Sequence, residues 1–261
     1  MRKATILGCM FCIVFACKEE KQLQPLNLEE AMSSDQVAPI KTETITFPSL
    51  DGLPITADVY KVDNTPITML LCHQAGYSRA EYTDTASKLN AMGYTVMAID
   101  QRSGNEVDDV VNETAKLAKA QDLPTNYIDS RKDIEAAIHN IYKNNGNRQI
   151  LIVGSSYSAT LALLIANENE KVIAVAAFSP GEYFTGMHVQ EMLKGLQKPV
   201  FVTSSKEESE ALSQLVKEMS KTNLTHYIPN EKGIHGSRAL WESTEGHVGY
   251  WNAFRAFLDQ L

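Results

Sequence analysis

Residues 149–166 read Gln149-Ile150-Leu151-Ile152-Val153-Gly154-Ser155-Ser156-Tyr157-Ser158-Ala159-Thr160-Leu161-Ala162-Leu163-Leu164-Ile165-Ala166. The run up to Val153 is made of apolar β-formers and predicts a strand covered on both faces, and the run from Ala159 predicts a helix. So few residues separate them that the chain must turn sharply from one into the other. That is the layout of a nucleophile elbow, a strained strand-to-helix turn that holds a serine hydroxyl above the sheet, and it makes Ser156 the candidate nucleophile. Strand and helix backbones pass close together two residues before and two residues after such a serine. Gly154 and Ser158 supply small side chains there, Ser158 standing where glycine is usual.

Outward from this turn, strands and helices alternate from Lys41 onward. Thr44–Phe47 and Ile55–Tyr60 alternate apolar and polar residues around the turn Asp51-Gly52, which predicts an antiparallel hairpin at a sheet edge. Thr68–Cys72, Thr95–Ile99, Gln149–Val153, Val172–Phe178 and Val200–Thr203 are continuous apolar runs, as expected of central strands. Ile134, Ala137, Ile138 and Ile141 form one helical stripe, and Leu212, Leu215, Val216 and Met219 another. Val248, Trp251, Phe254, Phe257, Leu258 and Leu261 predict a closing helix. An edge hairpin followed by repeated β-α units gives the fold class α/β: a doubly wound, mostly parallel sheet with helices on both sides.

Ligands of such sheets sit at the carboxyl ends of the strands, so those loops are where chemistry is expected. The strand ending at Cys72 runs into His73-Gln74-Ala75-Gly76, and the next ends in Asp100-Gln101-Arg102-Ser103-Gly104. His73 is read as fixing its loop by hydrogen bonding. Residues 105–125 are inserted before the helix that begins near Asn126, in the place of a short lid over the pocket.

The elbow and the His73 loop together resemble the α/β-hydrolase superfamily, in particular its dienelactone-hydrolase-like and related esterase branch, over roughly residues 41–261. The resemblance implies an α/β-hydrolase fold and an oxyanion hole built from the backbone N–H groups of Tyr157 and Ala75, with Gln74 as the alternative to Ala75. It gives Asp100 and Arg102 a structural role in the Asp-x-Arg-x-Gly turn. It also implies a histidine late in the chain and an acid beyond the strand Val200–Thr203. Among the late histidines, His226 falls in the last strand and His247 opens the closing helix, whereas His235 lies in a glycine-containing loop before Gly236. His235 is therefore preferred to His247. Glu208 stands at the family's acid position, with Glu207 and then Glu182 as alternatives. The order Ser156, Glu208, His235 matches the superfamily's order of serine, acid and histidine.

A serine hydroxyl needs such a base to become nucleophilic, and the reading is a serine hydrolase that forms an acyl-enzyme on a small-molecule ester or other acyl substrate. No metal or organic cofactor is implied. The rivals are a prolyl-oligopeptidase-like peptidase and a silent binding lipoprotein that keeps the fold.

At the start of the chain, Arg2-Lys3 precede an apolar run from Ala4 to Ala16, which predicts a signal peptide over residues 1–16, too short to span a membrane. Val14-Phe15-Ala16-Cys17 resembles a bacterial lipobox, which implies lipidation of Cys17 and anchorage to a membrane. Lys18-Glu19-Glu20 resembles the acidic export signal of surface-exposed lipoproteins in Bacteroidetes. Residues 17–40, polar and aperiodic, then serve as a tether. Cleavage removes Cys9 and Cys12 and lipidation consumes the Cys17 thiol, so Cys72 is left alone and no disulfide framework forms. Loss of Arg2 and Lys3 takes the net charge from −8 to −10, which excludes nucleic acid as a partner on electrostatic grounds.

Overall fold

The computed structural model describes residues 42–261. The signal peptide, Cys17 and the tether lie outside the described residues.

The apolar runs form one eight-stranded sheet: β1 Thr42–Pro48, β2 Pro54–Tyr60, β3 Thr68–Cys72, β4 Thr95–Ile99, β5 Ile150–Ser155, β6 Val172–Phe178, β7 Val200–Thr203 and β8 Leu224–Tyr227. Their spatial order is β1-β2-β4-β3-β5-β6-β7-β8. β2 pairs antiparallel with both β1 and β4, and every pairing from β4 to β8 is parallel. The hairpin turns where expected: Gly52 adopts φ 88° and donates its N–H to Ser49 O at 3.0 Å. β5 runs two residues further than the apolar pattern, because Gly154 and Ser155 still pair with Ala177 and Phe178 of β6.

Among the described residues, seven α-helices accompany the sheet: α1 Thr83–Ala91, α2 Glu113–Ala120, α3 Arg131–Asn144, α4 Tyr157–Glu168, α5 Val189–Met192, α6 Ser209–Leu215 and α7 His247–Leu258. The period of two along the strands divides the core. Leu70, Cys72 and Ile152 face the layer of α3 and α4, whereas Met69, Leu71, Leu151 and Val153 face α1 and α7. Burial on both faces is why these strands read as unbroken apolar runs. α4 is buried from Tyr157 to Ala166, in keeping with a helix that is apolar all round. In α7, Trp251, Phe254, Phe257 and Leu258 pack inward, but Val248 in its first turn is 48 % exposed and Leu261 lies beyond its end, so the expected stripe is shorter at both ends.

Residues 105–125 carry a Val107–Val110 bridge and α2. α2 packs against β2, where Thr56 N–H donates to Thr114 Oγ1 at 3.0 Å. At its N-terminus Asn112 Oδ1 caps Ala115 N–H at 2.8 Å. Among the described residues, no helix is long and apolar enough to cross a membrane.

Candidate active site

In this topology the chain leaves β3 toward β4 on one side and later reaches β5 on the other. The crevice at the carboxyl ends of β3 and β5 is the switch point where doubly wound sheets bind ligands. Ser156 stands there, between β5 and α4, 7 % exposed, at φ 60° and ψ −126°. A non-glycine residue in that region is strained by roughly 1–3 kcal/mol and persists only where its surroundings enforce it.

The enforcing contacts can be named. A Cβ on Gly154 would lie 2.5 Å from Ala159 Cα, so only glycine lets α4 pass this close to β5. Ser158 Oγ accepts Ser155 N–H at 2.9 Å and donates to Cys72 O at 2.6 Å. The serine that departs from the usual glycine therefore ties the elbow to the end of β3. Ser156 N–H donates to Phe178 O at 2.8 Å, fastening the turn to β6.

His235 and Glu208 are brought together. His235 Nδ1 faces Glu208 Oε1 in a short hydrogen bond. The other carboxylate oxygen accepts Ser179 Oγ–H at 2.8 Å, Ser205 Oγ–H at 3.0 Å and Ser205 N–H at 3.2 Å. Burial works to raise the Glu208 carboxyl, but the bonds from His235, Ser179 and Ser205 and the charge of His235 outweigh it and hold the group at about 2. An ionised carboxylate only accepts, so His235 Nδ1–H is the donor in this pair and Nε2 is the ring nitrogen left outside it. The two alternative acids are engaged elsewhere. Glu182 accepts Val189 and Gln190 N–H at the start of α5, and Glu207 is exposed. His226 lies on β8, and His247 Nδ1 contacts Thr244 O at the head of α7.

The residues flanking His235 meet those flanking Ser156. Ser237 N–H donates to Ser155 Oγ at 2.8 Å, and a Cβ on Gly236 would lie 2.5 Å from the same oxygen. Gly236 N–H also donates to Ser179 Oγ at 3.0 Å, so one serine touches both the acid and the histidine loop. Among the described residues, no hydrogen bond joins Ser156 Oγ to His235. The polar group beside it is the Tyr183 hydroxyl, which donates to Ser179 O at 2.8 Å and reaches the Ser156 side chain.

Among the described residues, the two amides expected at the oxyanion position are without hydrogen-bond partners. Tyr157 is the first residue of α4, so its N–H has no intrahelical partner. Among the described residues, Ala75 N–H also has none. Gln74 N–H is engaged, donating to Glu81 Oε2 at 2.7 Å.

His73 is wholly buried. Its Nε2 accepts Gln101 N–H at 2.9 Å and Asn112 Nδ2–H at 3.1 Å, so Nδ1 donates to Gln74 O at 2.7 Å. Burial pushes its pKa down to about 4 and keeps it neutral. Asp100 binds Arg79, and Arg102 binds Asp133 and Asp51, so the Asp-x-Arg turn is held as expected. The sequence reading did not single out Ser179, Tyr183, Ser155 or Glu81. They are ordinary residues with no spacing signature, brought in by tertiary folding alone. Among the described residues, no group of three or more His, Cys, Asp or Glu is arranged to hold a metal ion.

Sheet order, strand-to-helix turn and late histidine loop together define an α/β-hydrolase fold. The model of the Dienelactone hydrolase family matches residues 56–231, and the protein belongs to that family and is a hydrolase. Solved structures of the same fold include an esterase of Pyrococcus furiosus, 14% identical over 92% of this chain and 98% of its own, TM-score 0.66. A dienelactone hydrolase of Anabaena variabilis is 14% identical over 84% of this chain and 95% of its own, TM-score 0.63. An acylaminoacyl peptidase of Pyrococcus horikoshii is 15% identical over 84% of this chain but 41% of its own, TM-score 0.62. No curated protein sequence matches the chain significantly.

Proposed function

We propose that the protein is a serine hydrolase of carboxylic esters that works through an acyl-enzyme on Ser156. The observation that carries this reading is the His235–Glu208 pair, whose loop packs against the residue preceding a serine held at positive φ. In the cycle, Ser156 Oγ turns from Tyr183 toward His235 Nε2, gives up its proton there and bonds to the acyl carbon. The oxyanion accepts hydrogen bonds from Ala75 and Tyr157 N–H, which are the unpartnered donors at that place. The imidazolium, steadied by Glu208, then protonates the departing alkoxide as the ester C–O bond breaks. A water molecule repeats the sequence, giving its proton to His235 and its oxygen to the acyl carbon, and Ser156 is released with the carboxylic acid.

The test is steady-state turnover of p-nitrophenyl esters of increasing acyl length beside aminoacyl and prolyl anilides. Ester turnover that disappears in Ser156→Ala, with anilides near background, is the expected result. Turnover that survives Ser156→Ala contradicts the mechanism, faster anilide cleavage assigns the peptidase reading, and an inert parent assigns a silent binder.

The same proposal places the enzyme on a bacterial membrane through acyl chains on Cys17. Each buried methylene contributes about 0.8 kcal/mol, so several chains hold a protein firmly. Growth with an alkyne fatty acid should label the parent and not Cys17→Ser, and a Cys17→Ser protein that stays labelled and membrane-bound contradicts the anchor.

A further inference from the structure

One carboxylate that this cycle does not use lies directly behind the elbow. Glu81, in the short 3-10 turn Arg79–Tyr82, has no exposed surface. Its Oε2 accepts Gln74 N–H at 2.7 Å, and its Oε1 accepts Ser155 Oγ–H at 2.7 Å and Ser237 Oγ–H at 2.5 Å. Its main-chain oxygen accepts the Trp241 indole N–H at 2.9 Å. Among the described residues, no lysine, arginine or histidine forms an ion pair with it. A buried carboxyl group with no ion-pair partner is an expensive way to fill space, since an apolar side chain of similar volume avoids the desolvation.

The three donors come from three different segments, the loop after β3, the end of β5 and the histidine loop, and each adjoins one part of the site. Gln74 precedes Ala75, Ser155 precedes Ser156, and Ser237 follows His235 by two residues. All three arrive as hydrogen donors, which an acceptor-only carboxylate matches and an amide does not, because an amide presents its own N–H₂ to at least one of them.

The consequence is sharpest at Gln74. Its carbonyl oxygen is held by His73 Nδ1–H at 2.7 Å and by Tyr77 N–H at 3.3 Å, the latter closing a turn with Gly76 at φ 73° in its third position. In a trans peptide unit the N–H points away from the C=O, so fixing Gln74 O turns Ala75 N–H to the opposite side. Glu81 fixes the preceding peptide unit by taking the Gln74 N–H. Burial raises the Glu81 carboxyl and outweighs the bonds from Ser237, Gln74 and Ser155 and the nearby charge of Arg238, which act to lower it, so it is the convergent geometry of the three partners that marks the residue.

We propose that Glu81 is a positioning residue: its carboxylate clamps the oxyanion loop, the elbow and the histidine loop in one register, so that the Ala75 amide is aimed before substrate arrives. This rests on the serine-hydrolase reading of the same site.

The test compares the parent with Glu81→Gln in ester turnover, in thermal unfolding and in affinity for an alkyl boronic acid that mimics the tetrahedral state. Loss of one oxyanion donor typically lowers turnover about 10²–10³-fold, and Glu81→Gln should lower kcat by about 10² with KM within about threefold. Boronate affinity should fall in parallel. A folded Glu81→Gln protein that keeps kcat within about threefold overturns the proposal, as does a kcat loss with boronate affinity unchanged, which would mark a structural effect elsewhere. Where Glu81→Gln does not fold, the pair Ser155→Ala with Ser237→Ala removes two of the three ties and leaves Gln74 on Glu81. A loss of about tenfold or more in kcat at constant KM supports the clamp, and a loss under about twofold overturns it. Failure of the parent itself to hydrolyse esters tells against the hydrolase reading and is seen before any variant is compared.

Discussion

Two polar regions lie side by side at the carboxyl ends of the sheet, one wholly buried at His73 and Arg102 and one part-exposed at His235 and Glu208, and they are built on opposite terms. Around the ends of β3 and β4, every polar group of His73 and of the Arg102 guanidinium is matched: His73 bonds Gln74, Gln101 and Asn112, and Arg102 bonds Asp133, Asp51 and Ser49. Around β5 and the His235 loop the supporting groups are equally well bonded, but His235 Nε2, Ala75 N–H and Tyr157 N–H have no partner among the described residues, and Ser156 sits in a strained conformation. Saturation gives stability without chemistry. Unspent hydrogen-bonding capacity held in place by bonded neighbours such as Ser158, Ser179 and Glu208 is what a reacting group needs.

The contrast breaks most visibly in activity. His235→Ala should lower ester kcat on the order of 10⁴-fold with little change in the unfolding midpoint, because it removes the proton acceptor and leaves the core intact. A comparable kcat in parent and variant would move the base to another residue. The reverse pattern is expected in the saturated region. Arg102→Met leaves Asp133 buried without its cation and should destabilise the fold by about 3–5 kcal/mol in urea titration, with the folded fraction retaining near-parental KM. A stability change under about 1 kcal/mol would show that the cluster is not the support described.

How far these two regions were legible in the sequence follows from how each is specified. The elbow, the strand ends and His235 were readable because a local pattern encodes them: a strand-to-helix turn with small residues, apolar runs and a His-Gly loop. Glu208 stood ahead of Glu207 and Glu182 only through its distance from a strand and the family resemblance, since a single chain gives no contacts. Folding distinguishes them by directing Glu182 to the amides of α5 and leaving Glu207 in solvent. Gln74 and Ala75 were equally close in sequence, and the difference between them is a bond to Glu81, a residue with no motif of its own. The polar partners that matter most here, Ser155, Ser179 and Glu81, meet only through the sheet.

Acid titration sharpens the comparison further. His73 has a folded pKa of about 4 against an ordinary 6.5, so the unfolded chain binds the extra proton first and stability falls as the pH drops from about 6.5 to 4. The contribution is on the order of 3 kcal/mol, complete above pH 6.5 and lost below 4, and His73→Gln should flatten this part of a pH-dependent denaturation series. Glu208 acts in a lower window: with a folded pKa of about 2 against 4.5, its contribution is complete above pH 4.5 and disappears toward pH 2. A His73→Gln series that still declines between pH 6.5 and 4 would assign that titration elsewhere.

The smallest effect concerns the strain itself. Ser156→Gly relieves a positive φ at a site where the rest of the fold dictates the backbone, so it should raise the unfolding free energy by about 1–2 kcal/mol while removing activity. Unchanged or lower stability would mean that the turn is not under strain.

The central claim is that Ser156 is the nucleophile and His235 its base. Peptide mass spectrometry after reaction of the folded protein with a fluorophosphonate tests it most directly. The account predicts one adduct, on the peptide containing Ser156, absent in Ser156→Ala and formed far more slowly in His235→Ala. An adduct on a different residue, or labelling at Ser156 that proceeds at the parental rate without His235, would contradict it.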